Sequence, residues 1–179
     1  VFSEKFIKDL GLKNNPITTQ IEPNDSIAEL LHASVRTNNI LTDMCVDIWL
    51  YIGRNIFTQA HESGEVGSST MPHKINPISF ENAEGNLELS NASFVFLASR
   101  LSKSRLQRDL SGSTLFRNVG VAFGHSLLAY KNIIAGLKRI HPNTKQLSSE
   151  LENQWNILAE AIQTVLRKSG DKEAYNKIK

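Results

Sequence analysis

Ile40-Leu41-Thr42-Asp43-Met44-Cys45-Val46-Asp47-Ile48-Trp49-Leu50-Tyr51-Ile52 lies in the second half of a run from Ser26 to Thr58 that decides the fold class. Across the run, Ile27, Leu31, Leu41, Cys45, Ile48, Ile52 and Ile56 recur at spacings of three, four or a near multiple. That is the period of an α-helix with one apolar face. The cluster Asn24-Asp25-Ser26 can cap its start. Toward the end of the run apolar residues fall nearly all round the helix, which implies burial among several neighbours.

The segments on either side read the same way. Phe2 to Leu10 predicts a short helix closed by Gly11, and residues 12–24 a polar loop broken by Pro16 and Pro23. A Gly/Ser/Pro-rich loop occupies 59–78, followed by a second long helix from about Ser79 to Leu101. Gly85 inside that helix costs about 1 kcal/mol against alanine, so close packing or a bend is its expected use. A basic loop (102–112) leads to a third helix over 113–137, where Gly120 and Gly124 would let a neighbouring helix approach. Pro142 ends a connection, and shorter helices are expected over 144–152 and 154–168. No six-residue window alternates convincingly as a strand should, and no Asn-Gly or Asp-Gly hairpin turn is present. The expected architecture is all-α, an elongated bundle whose long helices span roughly 37–50 Å at 1.5 Å per residue.

Composition narrows the function. With 40% hydrophobic and 21% charged residues the chain fits an ordinary soluble globular domain, or a long piece of one. A net charge of +2 gives no basis for binding nucleic acid or an acidic membrane. The single cysteine, Cys45, cannot form an internal disulfide and fits a reducing compartment as a buried, inert thiol. The N-terminus has no signal-peptide pattern, and the longest dense apolar run, Ile48 to Ile52, is far too short to span a membrane. There is no initiating methionine and the last residues are helix-like without a cap, so both ends are expected to be cut.

Chemistry concentrates in Gly67-Ser68-Ser69-Thr70-Met71-Pro72-His73-Lys74-Ile75-Asn76-Pro77-Ile78-Ser79-Phe80-Glu81. A Gly-Ser stretch alone is usually a linker. Here Pro72 stiffens it, while Lys74, Asn76 and Glu81 gather polar groups at the start of a helix, where N–H groups and the dipole favour an anion. A serine in such a setting can act as a base once a cation or N–H cluster stabilises its alkoxide. In the basic loop, Arg100 and Lys103 read as a solvated turn. His32, His61, His73, His125 and His141 show no metal-ligand spacing. Trp49 and Trp155 sit at helical apolar positions and are expected in the core or an interface.

The segment from Gly67 to Pro77 resembles the signature loop of the fumarase/aspartase superfamily, Gly-Ser-Ser-x-Met-Pro-x-Lys-x-Asn-Pro, at every specified position. Four flanking segments are similar to the bacterial form of the branch that cleaves adenylosuccinate. They are Thr18-Thr19-Gln20-Ile21-Glu22-Pro23, Phe80-Glu81-Asn82-Ala83-Glu84-Gly85-Asn86-Leu87, Gln107-Arg108-Asp109-Leu110 and Ser113-Thr114-Leu115-Phe116-Arg117-Asn118. The resemblance implies that Ser68 is the general base and that Lys74 and Asn76 hold the substrate carboxylates. It implies that Glu81 orients a catalytic histidine and that Gln20 and Asn82 touch substrate. Arg108, Ser113, Thr114 and Arg117 would surround the nucleotide, the arginines on phosphate or carboxylate. The implied reaction is β-elimination of fumarate from adenylosuccinate, giving AMP, and from SAICAR, giving AICAR, in purine biosynthesis. It would need no cofactor and no metal, in a cytoplasmic homotetramer whose active sites each draw on three subunits.

The resemblance also divides the chain. Residues 1–110 would be part of the central long-helix domain, including the loop 62–78. Residues 111–179 would finish that bundle and begin a C-terminal helical domain. One departure matters: the superfamily's general acid is a histidine in a His-Gly segment, and no histidine here precedes a glycine. The chain is therefore expected to be a fragment of the C-terminal half, with the base but not the acid, and inactive alone. The competing readings are another fumarate-releasing lyase, such as one acting on argininosuccinate or aspartate, and a helical scaffold whose Gly-Ser loop is a linker.

Overall fold

A computed structural model describes residues 2–60, 71 and 75–179. Ser68, Lys74 and most of the loop 62–78 lie outside the described residues. Three long helices make the body: α2 (Asp25–Gly53), α3 (Ile78–Leu101) and α5 (Val119–Leu137), after a short α1 (Phe2–Asp9). They run up, down and up, with α3 in the middle packed against both others. The helices α6 (Thr144–Glu152), α7 (Leu158–Lys168) and α8 (Ala174–Ile178) follow, with one 3₁₀ turn at Trp155–Ile157.

Two boundaries differ from the sequence reading. The first long helix stops at Gly53 rather than Thr58, because Asn55 turns left-handed (φ 61) and Ile56 N–H bonds back to Tyr51 O at 2.9 Å. The chain then enters β1 (Phe57–Gln59), which pairs antiparallel with β2 (Ile140–Pro142), Thr58 opposite His141. This ribbon corrects the expectation of no strands; three residues a side are too few for alternation to show. The helix expected over 113–137 is split into α4 (Ser111–Phe116) and α5. At the break the Asn118 amide donates to Thr114 O (3.1 Å), a side chain taking the carbonyl that a continuous helix would use.

Two apolar clusters hold the long helices together. One joins Ala28 and Leu31 of α2, Phe94, Leu97, Ala98 and Leu101 of α3, and Ala122 of α5. The other joins Cys45 and Ile48, Phe80, Ala83 and Leu87, and Ala129 and Ile133. Between them lies a buried polar layer. Asn38 Nδ2 donates to Asn91 Oδ1 and Ser126 Oγ, both at 3.0 Å, and Asn38 Oδ1 accepts from the Tyr130 hydroxyl at 2.6 Å. Ser90 donates to Ala122 O at 2.9 Å and its oxygen lies 2.7 Å from that of Ser126. Every long helix of the body thus sends a polar side chain into one largely buried knot, which fixes their heights relative to each other.

Large apolar residues also remain on outer faces, among them Ile40, Val46 and Leu50 of α2, Phe96 of α3, and Leu127 and Ile134 of α5. The burial expected all round the end of α2 is met on one side only. Trp49 and Trp155 are 47% and 71% exposed, so neither is a core residue of this chain. Gly85, Gly120 and Gly124 have open space around them, so no close packing against them occurs among the described residues. Among the described residues, the glycine with a close neighbour is Gly136, where a Cβ would fall 2.7 Å from the Phe80 ring.

Candidate functional site

The residues singled out from the sequence divide between the two ends of α3. At its start, Pro77 O accepts the N–H groups of Phe80 and Glu81, and the helix begins at Ile78. The preceding turn is tied to the ribbon, since Gln59 Nε2 donates to Asn76 O at 3.2 Å. The ribbon therefore fixes where the 61–74 segment rejoins the body. Glu81 is exposed, and its Oε1 accepts the Trp49 indole N–H at 2.9 Å. At the next residue, Asn82 Oδ1 accepts from Asn132 Nδ2 (2.7 Å) and Asn86 Nδ2 (3.0 Å). Asn86 Oδ1 in turn lies 2.8 Å from His125 Nδ1. With its oxygen doubly engaged, the Asn82 amide is held with its NH₂ group available to an acceptor.

The other end of α3 forms a cleft of about 430 Å³. Arg108 and Ser113 line it, with Thr19, Arg100, Asp109 and Ser111. Two loops make its walls and are bonded to each other: the Thr19 hydroxyl donates to Gln107 O at 2.8 Å, and Asn24 Nδ2 to Leu101 O at 3.2 Å. Of the Asn24-Asp25-Ser26 cluster expected to cap α2, Asn24 stands at the cap position, and its side chain makes this cross-loop bond instead of a cap bond. Gln20, Arg108, Ser113, Thr114 and Arg117 are all exposed at this end. Gln20, Thr114 and Arg117 do not line the cleft.

The sequence reading passed over the groups that hold this wall. Arg100, taken as a solvated turn residue, donates Nη2 to Ser111 Oγ and Nη1 to Lys103 O, both at 2.7 Å, and lies 3.5 Å from Asp109 Oδ2. Asp109 Oδ1 accepts from the Ser111 hydroxyl (2.7 Å) and N–H (3.1 Å). The Ser111 hydroxyl bond holds the Asp109 carboxyl below its ordinary range; partial burial opposes this, and the Ser111 N–H and the charge of Arg100 reinforce it. Trp49 beneath Glu81 and Asn132 beside Asn82 were missed as well. Nothing in the sequence signals pairs so far apart in the chain.

Ser68 and Lys74 lie outside the described residues, so the base and one cation have no geometry here. Among the described residues no group of His, Cys, Asp and Glu is arranged to hold a metal ion. No described helix is long and apolar enough to cross a membrane.

Comparison with known proteins follows this layout. Residues 1–89 match the family model described as lyase, and residues 104–179 the model described as adenylosuccinate lyase C-terminal. The adenylosuccinate lyase of Escherichia coli K12 is 52% identical over 178 residues, 99% of this chain. That of Legionella pneumophila strain Corby is 53% identical over 174 residues, 97% of the chain. The chain belongs to the adenylosuccinate lyase family. The likeness extends beyond bacteria: the adenylosuccinate lyase of Dictyostelium discoideum is 50% identical over 181 residues, 100% of the chain. The chain spans only about two fifths of these family members' length, 39% for Escherichia coli and Dictyostelium and 38% for Legionella.

Proposed function

We propose that this chain carries the base-bearing and nucleotide-holding parts of a fumarate-releasing carbon–nitrogen lyase acting on adenylosuccinate and SAICAR. In this reading Ser68 takes the proton from the carbon β to the leaving nitrogen, and the electron pair left behind moves onto the adjacent carboxylate. Lys74 and Asn76 steady that aci-carboxylate. The C–N bond then breaks, fumarate departs, and the amine takes its proton from a histidine that Glu81 orients. None of the five histidines here stands in a His-Gly segment, so that acid comes from another part of the full protein. Arg108, Ser113, Thr114 and Arg117 bind the nucleotide, with Gln20 and Asn82 as further contacts.

The observation that carries the reading is the division of these residues between the ends of one helix. Arg100, at the cleft end, is nineteen positions beyond Glu81, roughly 28 Å at 1.5 Å per residue. No single nucleotide bridges that distance. In this reading a complete site combines the Glu81 end of one chain with the cleft end of another, in a homotetramer with shared sites; a cytoplasmic location belongs to the same reading. The apolar outer faces of α2, α3 and α5 suit such assembly.

A full-length lyase carrying this segment should turn over adenylosuccinate and not argininosuccinate, followed by ultraviolet absorbance. The Ser68→Ala variant should lose turnover by several orders of magnitude while keeping its assembly state. Undiminished turnover by that variant would remove Ser68 from the role, and fumarate release by the isolated 179-residue chain would remove the need for an outside acid.

A further inference from the structure

We infer that Arg100 is a positioning residue for the nucleotide's phosphate: it holds the wall that presents Arg108 and Ser113, and it shields a bound dianion from the charge of Asp109. This rests on the reading of the cleft as the nucleotide end of the site.

Arg100 has little left to offer a ligand. Its two terminal nitrogens are engaged by Lys103 O, Ser111 Oγ and the Asp109 carboxylate, and its side chain is only 29% exposed. What these bonds join is the whole wall. Arg100 belongs to the last turn of α3, Lys103 and Asp109 to the loop carrying Arg108, and Ser111 to the start of α4, two residues before Ser113. The Ser104 hydroxyl accepts the Asp109 N–H at 3.0 Å, closing the loop on itself. Between these anchors Leu106 is forced into the left-handed region (φ 50). A leucine held there is strained, and such strain persists where the surroundings over-determine it.

The electrostatics point the same way. Asp109 lies beside Arg108 in sequence and lines the same cleft, so a phosphate bound there meets a carboxylate. Asp109 Oδ2 accepts no hydrogen bond and faces two guanidinium groups, Arg100 at 3.5 Å and Arg105 at 3.9 Å. Arg105 is 81% exposed, so solvent weakens its compensation and Arg100 supplies most of it. Without Arg100 the carboxylate would repel the ligand that Arg108 attracts.

The test compares Arg100→Met, Asp109→Asn and the double variant in a full-length lyase carrying this segment, with adenylosuccinate and its phosphate-free nucleoside. Arg100→Met should raise KM for the nucleotide about tenfold or more, with kcat within roughly twofold. KM for the nucleoside should move little. Adding Asp109→Asn should recover most of the loss, and the Arg100→Met penalty should shrink at high salt. An equal penalty on both substrates, a parallel fall in kcat, or no rescue by Asp109→Asn would overturn the inference. A parent enzyme inert toward adenylosuccinate would overturn the functional reading instead.

Discussion

Cys45 shows how strongly burial sets chemistry at a single position. Its side chain is 1% exposed, and burial, helped by the negative charge of Glu84, pushes the thiol up from 9.0 to about 11. The raised value means the folded chain keeps its proton where the unfolded chain loses it. The contribution to stability is therefore full below pH 9.0 and is lost as pH rises toward about 11. Alkylation by iodoacetamide near pH 8 should follow global unfolding rather than thiolate chemistry. Fast labelling of the native chain would contradict this. The sequence alone foresaw this cysteine as buried and inert, because its neighbours are apolar at helical spacing. It could not foresee the roles of Trp49 and Arg100, whose partners are set by how α2 lies on α3 and how the 102–110 loop folds back. For Asn38 a signal was present. It falls midway between Leu31 and Cys45 on the buried stripe, and an amide at an apolar position marks a polar knot.

At the scale of elements, the long helices were legible because their apolar period is sustained over many turns. Their ends were less so, since Asn55 and Asn118 break helices through local backbone and side-chain bonds rather than through pattern. The glycines divide similarly. Gly85 stands out by its place inside a helix and Gly120 and Gly124 by their spacing, yet Gly136 is where α5 and α3 meet closely. Gly136→Ala would force the Phe80 ring, fully buried at the base of α3, from its place. It should destabilise the fold by about 1–3 kcal/mol, measured by denaturant titration. Gly85→Ala, with open space around it, should show no such loss in the same measurement; equal effects at the two positions would contradict the packing described.

For the whole molecule, α3 is a spacer as well as a core helix. On the function proposed above, it keeps two incomplete halves of a site too far apart for either to serve the other. Seen genetically, one polypeptide then contributes to two different centres, and a lesion at one end leaves the other end serviceable. Full-length variants Glu81→Gln and Arg108→Met should each be nearly inactive. Subunits of the two, mixed and allowed to exchange, should regain activity at about a quarter of their sites, those that draw an intact half from each parent. No recovery in verified hybrids would mean that both ends serve one centre after all. Two alleles of such a protein, each defective, could then support growth together where neither does alone.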